Sequence, residues 1–327
     1  MQPVTYKHFT GRGPEGGRRT YVLPPDKAKF VDFAIQLGRP LLVEGEAGCG
    51  KTRLADAIAS ELGLGAPIII PVRSTSRAND LLYRYDALRR LQDSQMRENR
   101  SDAGRAYRYV RLEPLGRAIF EGRPCVIMID EVDKGDVDFP NDLLHVLDRF
   151  EFVIDEIPEE ESEEAVAELG FGQYVRNQTG VRPIVVFTSN REKQLPKPFL
   201  RRCIYLELTF PSDPEDLAEI VEINLGAAGA VRGRPFLESV SRQLIANAVR
   251  SFLEIRAAAE QNSAHKKPAT AELIDWIHVL HWNRDREDEV KGLQPPYWQM
   301  LFSSSIDIDT HASRTEGAGP RPAGEQR

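Results

Sequence analysis

Four short apolar runs punctuate the first two thirds of the chain: Leu41-Leu42-Val43, Ile68-Ile69-Ile70, Val126-Ile127-Met128-Ile129 and Ile184-Val185-Val186-Phe187. Each is bounded by turn or polar residues, and the segments between them carry apolar positions three and four apart. That pattern predicts buried strands of a parallel sheet alternating with helices. Pro67 and Pro71 flank the second run and predict an edge strand, or one that starts late. Pro24 and Pro25 open a helix with Phe30, Phe33, Ala34 and Leu37 on one face, closed by Gly38. Leu54, Ala55, Ile58, Ala59 and Leu62 mark a second helix, and Leu143, Leu144 and Leu147 a later one. Residues 150–154 read as a short strand and 204–210 as a β-rich run. After Pro211 and Pro214 the pattern turns wholly helical: Leu217, Ile220, Val221 and Leu225; Val240, Leu244, Ile245, Phe252 and Leu253; Leu273, Ile274, Ile277 and Leu280. These stripes predict a small helical bundle.

Two stretches interrupt the alternation. Residues 75–108 are strongly charged with an intermittent stripe of Leu81, Leu82, Tyr85, Leu88 and Leu91, and read as a solvated helical insertion. Residues 157–170, dominated by glutamate, and 173–180 read as a polar loop or small hairpin. The expected organisation is a strap over 1–22, an α/β core over 23–210, a helical domain over 211–303 and a disordered tail over 304–327.

The strand at 41–43 runs directly into Gly45-Glu46-Ala47-Gly48-Cys49-Gly50-Lys51-Thr52, which fits the phosphate-loop pattern of nucleoside-triphosphate enzymes. The glycines let backbone N–H groups turn toward phosphate. Lys51 brings a cation to the β and γ oxygens, and the Thr52 hydroxyl can ligate Mg²⁺. The third run ends in Asp130 and Glu131, suited respectively to holding Mg²⁺ and to activating water. The fourth ends in Thr188-Ser189-Asn190, and Asn190 is suited to orienting that water or sensing the γ-phosphate. In a parallel sheet the carboxyl ends of such strands share one edge, where ligands of open α/β folds bind. The fold class expected is therefore a P-loop NTPase sheet flanked by helices, followed by a small helical domain.

Composition narrows the function rather than naming it. A formal net charge of −7 over 327 residues argues against a surface built mainly for nucleic acid. Cys49, Cys125 and Cys203 have neither disulfide nor zinc spacing. His278 and His281, beside Trp282, read as exposed or capping residues rather than a metal pair. The first residues lack a signal-peptide core and no run approaches membrane-spanning length, so a cytoplasmic location is expected.

In its order of elements the chain resembles the AAA+ ATPases, and within them the MoxR branch close to the CoxD-like group. The matching stretches are Gly45 to Thr52, Leu81 to Ala87, Ile129 to Lys134, Phe139 to Leu144, Thr188 to Asn190, Phe199 to Cys203, and Lys267-Pro268 with Glu272 to Trp276. The resemblance implies ATP hydrolysis in a ring, commonly a hexamer, with an arginine finger from the adjacent subunit at Arg201 or Arg202. It implies a helical lid with a nucleotide-sensing arginine, although no arginine opens the last matched lid helix; Lys267 is the nearest candidate for that nucleotide-binding role, and Arg256 sits on the preceding helix. It further implies remodelling or maturation of a client protein, often with a von Willebrand factor A domain partner. Two other readings stay open: a slow nucleotide-gated recruitment switch, and the motor, with ATP or GTP, of a nucleic-acid restriction system.

Overall fold

In the computed structural model, which describes residues 6–14, 21–96, 103–231, 240–262, 266–284 and 287–316, the four apolar runs and the 204–210 segment form one five-stranded parallel sheet. In chain order the elements of its unit are α1 (Pro25–Leu37), β1 (Leu41–Gly45), α2 (Lys51–Leu62), β2 (Ile68–Pro71), β3 (Tyr83–Tyr85), α3 (Ala87–Gln95), β4 (Val110–Leu112), α4 (Pro114–Glu121), β5 (Val126–Asp130) and α5 (Phe139–Arg149). They continue with β6 (Glu151–Val153), α6 (Ser162–Leu169), β7 (Tyr174–Arg176), β8 (Ile184–Ser189), α7 (Lys197–Arg202) and β9 (Ile204–Leu208). The sheet order is β2-β5-β8-β1-β9, so the proline-flanked strand does lie at an edge.

Register decides what the sheet delivers. Leu41 of β1 pairs with Val186 of β8 and with Ile204 of β9, while Val126 of β5 pairs with Ile184. All neighbours are parallel, so Gly45, Asp130 and Ser189 finish at the same edge. Strands β5 and β8 are buried along nearly their whole length, as expected for a sheet covered on both faces.

Several expectations are corrected. Helix α1 forms, but Phe30, Phe33 and Leu37 are exposed, and the buried face is Ala28, Val31, Ala34 and Ile35. This mixed alanine and β-branched face lies against β9, leaving the aromatic pair outside. The 75–108 insertion is not simply helical: β3 and β4 pair antiparallel around α3, with 97–102 outside the described residues. Its stripe divides accordingly, with Leu81 and Leu82 buried and Leu88 and Leu91 exposed. The glutamate-rich stretch carries a helix, α6, between the antiparallel strands β6 and β7. Its acidic groups are partly spent at home: Glu168 accepts from the Tyr107 hydroxyl at 2.9 Å and Glu161 from the Ala106 amide at 2.6 Å. Of the expected strap, the described residues meet the sheet unit through Phe9, whose amide donates to Asp32, and Thr10, bonded to Glu61; residues 1–5 and 15–20 lie outside the described ones.

The chain divides into two compact units, the first built on Leu23–Gly45 and Gly50–Leu208, the second on Glu46–Cys49 and the described residues from Thr209 onward. The second contains α8 (Pro214–Val231), α9 (Arg242–Gln261), α10 (Thr270–Asn283) and α11 (Ser305–Glu316) around buried Phe252, Leu273, Trp276 and Ile277. Helix α11 occupies part of the stretch expected as a disordered tail. It is held by an aromatic contact that aliphatic counting misses: buried His311 lies 4.8 Å from the Trp298 ring and 5.3 Å from Phe302. Residues 317–327 lie outside the described ones. His278 is buried against Trp282 rather than exposed. Among the described residues no helix is long and apolar enough to cross a membrane.

One close approach gives a stability prediction. The amide of Glu113 donates to Leu82 O, and at Gly116 in α4 a Cβ would stand 1.9 Å from that same oxygen. Gly116→Ala must force the two backbones apart at a cost of about 2–3 kcal/mol. Thermal unfolding is expected to show a melting temperature lower by several degrees; an unchanged value contradicts this packing.

Candidate functional site

At the carboxyl edge of the sheet the structure joins residues widely separated in sequence. Lys51, at the start of α2, is buried, and its Nζ donates to Gly45 O at 2.7 Å and to Asn190 Oδ1 at 2.7 Å. Asn190 Nδ2 donates in turn to Glu131 Oε1 at 2.9 Å. The orientation of this amide is dictated by its neighbours, because an ammonium only donates and a carboxylate only accepts. Lys134 Nζ stands 2.6 Å from Glu131 Oε2, so both carboxylate oxygens are engaged. Hydrogen bonding to Glu131 is the main reason the Lys134 ammonium titrates above its ordinary range.

The backbone supports this constellation. Glu131 has φ 58° and ψ 50°, the left-handed region that a non-glycine residue occupies at a cost of about 1–3 kcal/mol. It is held there by its amide, which donates to Thr188 Oγ1 at 2.9 Å, while the Thr188 hydroxyl donates to Asp130 Oδ1. Thr188 therefore ties β8 to Asp130 at the end of β5 and to Glu131 just beyond it. Buried Asp133 accepts at Oδ2 from the amides of Asn190 and Glu192, at 3.1 and 2.9 Å. Arg191, also left-handed at φ 63°, is anchored to Glu44 at 3.0 Å and Glu207 at 2.7 Å, which locks the turn carrying Asn190 across β1 and β9. Thr188, Asp133, Lys134 and Arg191 were not anticipated as site residues. Each lies beside a recognisable motif; the partners of Thr188, Asp133 and Arg191 are distant in sequence and no local spacing marks them, whereas Lys134 meets Glu131 three residues away.

The donor set fits phosphate. Gly48 and Gly50 have φ 81° and 90°, which only glycine adopts freely. Helix α2 has neither a side-chain cap nor an acidic residue in its first turn, so its amino end is suited to an anion. Thr52 is exposed and Asp130 half-buried. Among the described residues no group of three or more His, Cys, Asp or Glu side chains could hold a metal by itself. A cation here would have to share its ligands with a bound phosphate chain, as an oxygen-seeking Mg²⁺ does.

Arg201 and Arg202 lie exposed on α7 in the same unit. Arg39 fixes the end of that helix by donating to the carbonyls of Arg201 and Arg202, at 2.5 and 3.1 Å. The two side chains differ: Arg202 pairs with Asp148 at 3.5 Å, whereas Arg201 has no side-chain partner among the described residues. Glu46, Ala47, Gly48, Cys49 and Lys267 belong to the second unit, where Lys267 Nζ stands 2.9 Å from Glu46 Oε1.

Residues 40–203 match the family model described as AAA domain (dynein-related subfamily). Comparison with curated proteins returned no match. Among solved structures the chain is similar to a proline-to-glycine mutant of RuvB from Thermotoga maritima, with 15% identity, a TM-score of 0.41, and coverage of 80% of this chain and 71% of that one. It is also similar to closed-state Hsp104 with ATPγS and FITC casein, with 17% identity, a TM-score of 0.45, and coverage of 79% and 44%. A third is the FIGL-1 AAA domain in complex with ADP, with 14% identity, a TM-score of 0.35, and coverage of 86% and 78%.

Proposed function

The chain belongs to the AAA domain family, in its dynein-related subfamily, and from that membership, which implies nucleotide binding and hydrolysis in general, we propose that it is a Mg²⁺-dependent ATPase acting as a homo-oligomeric ring. The observation that carries the reading is the path Lys51–Asn190–Glu131, which links a phosphate-binding cation to a carboxylate through one amide. Lys51 and the amides of the loop bind the phosphates. Thr52 and Asp130 would hold Mg²⁺, which would supply positive charge to offset that of the phosphate chain. Glu131 accepts the proton of the attacking water, Asn190 orients that water, and Arg201 or Arg202 of an adjacent copy stabilises charge developing on the γ-phosphoryl oxygens.

The work done with this cycle is, in our reading, remodelling or maturation of a client protein by a MoxR-like ring of the CoxD-like group, commonly a hexamer, with a von Willebrand factor A domain protein as partner. The motifs from Leu81 to Ala87 and from Lys267 to Trp276 support that branch. A slow recruitment switch is the second reading, favoured by one feature: both oxygens of Glu131 are already hydrogen-bonded, which slows a base.

The test is steady-state hydrolysis of ATP and GTP with Mg²⁺ over a protein concentration series. Specific activity that rises with concentration supports the ring ATPase. Slow turnover that neither concentration nor a partner raises supports the switch, and no turnover with no nucleotide binding overturns both.

A further inference from the structure

Glu46 is the second residue of the phosphate loop, a position at which phosphate binding itself asks nothing of the side chain, since backbone amides and Lys51 do that work. It is nevertheless the meeting point of two cations of its own unit. Arg256 Nη2 lies 2.5 Å from Oε2, and Lys267 Nζ lies 2.9 Å from Oε1. Arg256 is only 9% exposed; it also donates through Nη1 to Pro268 O, and its Cζ sits 3.8 Å from the centre of the Phe210 ring. Lys267 shares its ammonium with Glu260 at 2.6 Å. The loop backbone is packed against the same segment: a Cβ at Gly48 would stand 2.4 Å from Ala269 Cβ.

An arginine belonging to a nucleotide site can act in two ways. It can touch the phosphates, or it can hold the loop that touches them. Arg256 is committed on all sides, with a carbonyl at one nitrogen, a carboxylate at another and an aromatic ring across its face. Leaving that nest would uncouple a buried guanidinium from its carboxylate and carbonyl partners and give up the cation–π contact. The bonds also work in the other direction, because a bare carboxylate beside a triphosphate would repel it. The hydrogen bond from Lys267 is the leading reason that Glu46 stays ionised below its ordinary range.

We propose that Arg256 and Lys267 act as positioning residues that hold the phosphate loop through Glu46, and are not themselves phosphate ligands. This rests on the nucleotide-binding reading above, but the contact it describes exists in the protein alone. Two measurements on the full chain test it. The first is hydrogen exchange without nucleotide: Glu46→Ala, whose side chain is about half exposed and whose fold is therefore safe, should speed exchange of the amides at 46–50 and 267–270 together. Unchanged protection at both segments overturns the tether, whether or not the protein binds nucleotide.

The second is a mutant cycle on the dissociation constant for a non-hydrolysable ATP analogue with Mg²⁺, using Glu46→Ala, Arg256→Met and the double variant. Each single change should weaken binding about tenfold, a difference of about 1.4 kcal/mol. The double variant should be no weaker than either single one, since Arg256 acts only through Glu46. If Arg256→Met costs as much affinity in the Glu46→Ala background as in the wild type, the arginine touches the nucleotide itself and the proposal fails. If the wild type binds no analogue, the nucleotide reading fails instead, and the exchange measurement still decides the tether.

Discussion

Glu131→Gln is expected to abolish steady-state ATP hydrolysis while leaving nucleotide affinity within a few-fold of wild type. The substitution keeps the shape of the side chain and an oxygen that still accepts from Asn190 Nδ2, at 2.9 Å in the wild type. It removes the negative charge and the capacity to take a proton. Positioned general bases contribute about 10²–10⁴-fold to such reactions, so turnover should fall by at least two orders of magnitude. Lys51, Thr52 and the loop amides are untouched, so binding should persist. Phosphate release and analogue titration on the same preparation separate the two effects. Turnover within tenfold of wild type assigns the proton to another group; lost binding means that Glu131 organises the site rather than the water. Lys134 sharpens the comparison, because its partner Oε2 at 2.6 Å is altered as well. Lys134→Met alone should raise turnover without changing affinity, because it frees Oε2 of the base, and Lys134→Arg, which keeps the pairing, should stay near wild type.

The second large effect is expected at α7. If an arginine from one copy serves the site of the next, removing it costs about 10³–10⁵-fold in turnover, since such residues stabilise charge that exists only in the transition state. Arg201→Ala should carry this loss and Arg202→Ala much less. Arg202 is bound to Asp148 at 3.5 Å within its own chain, while Arg201 has no such commitment among the described residues. Mixing offers the decisive measurement. Arg201→Ala subunits retain a competent Glu131, and Glu131→Gln subunits retain a competent arginine, so mixed assemblies should recover activity that neither variant has alone. Absence of recovery, with both variants folded and oligomeric, rules out action in trans. Equal losses for the two arginines would make the Asp148 pairing irrelevant to the choice.

The parts of this protein that were legible in the sequence share one property: their chemistry is contiguous. The loop from Gly45 to Thr52 carries its glycines, cation and hydroxyl in eight consecutive residues. The apolar runs ending in Asp130-Glu131 and in Asn190 announce buried parallel strands, because only a strand covered on both faces can be apolar at every position. From these alone the sheet class and the clustering of candidate chemistry at one edge followed, while the prolines beside β2 left an edge place as one of two options that the sheet order decided.

What tertiary structure alone decided is which polar groups meet. Thr188 reaches Asp130 across a separation of 58 residues, and Glu46 meets Arg256 across 210. Neither pair has a spacing signal, since register and packing, not chain distance, bring them within hydrogen-bond reach. The same holds for α1, whose two candidate faces are equally helical in period. The face of Ala28, Val31, Ala34 and Ile35 is the one buried, and the aromatic face stays outside. Periodicity and motif therefore determined the elements and the candidate chemistry by themselves. Partner choice, left-handed backbone at Glu131 and the assignment of Arg256 to the loop required the folded chain, because each is a contact between elements rather than a property of one.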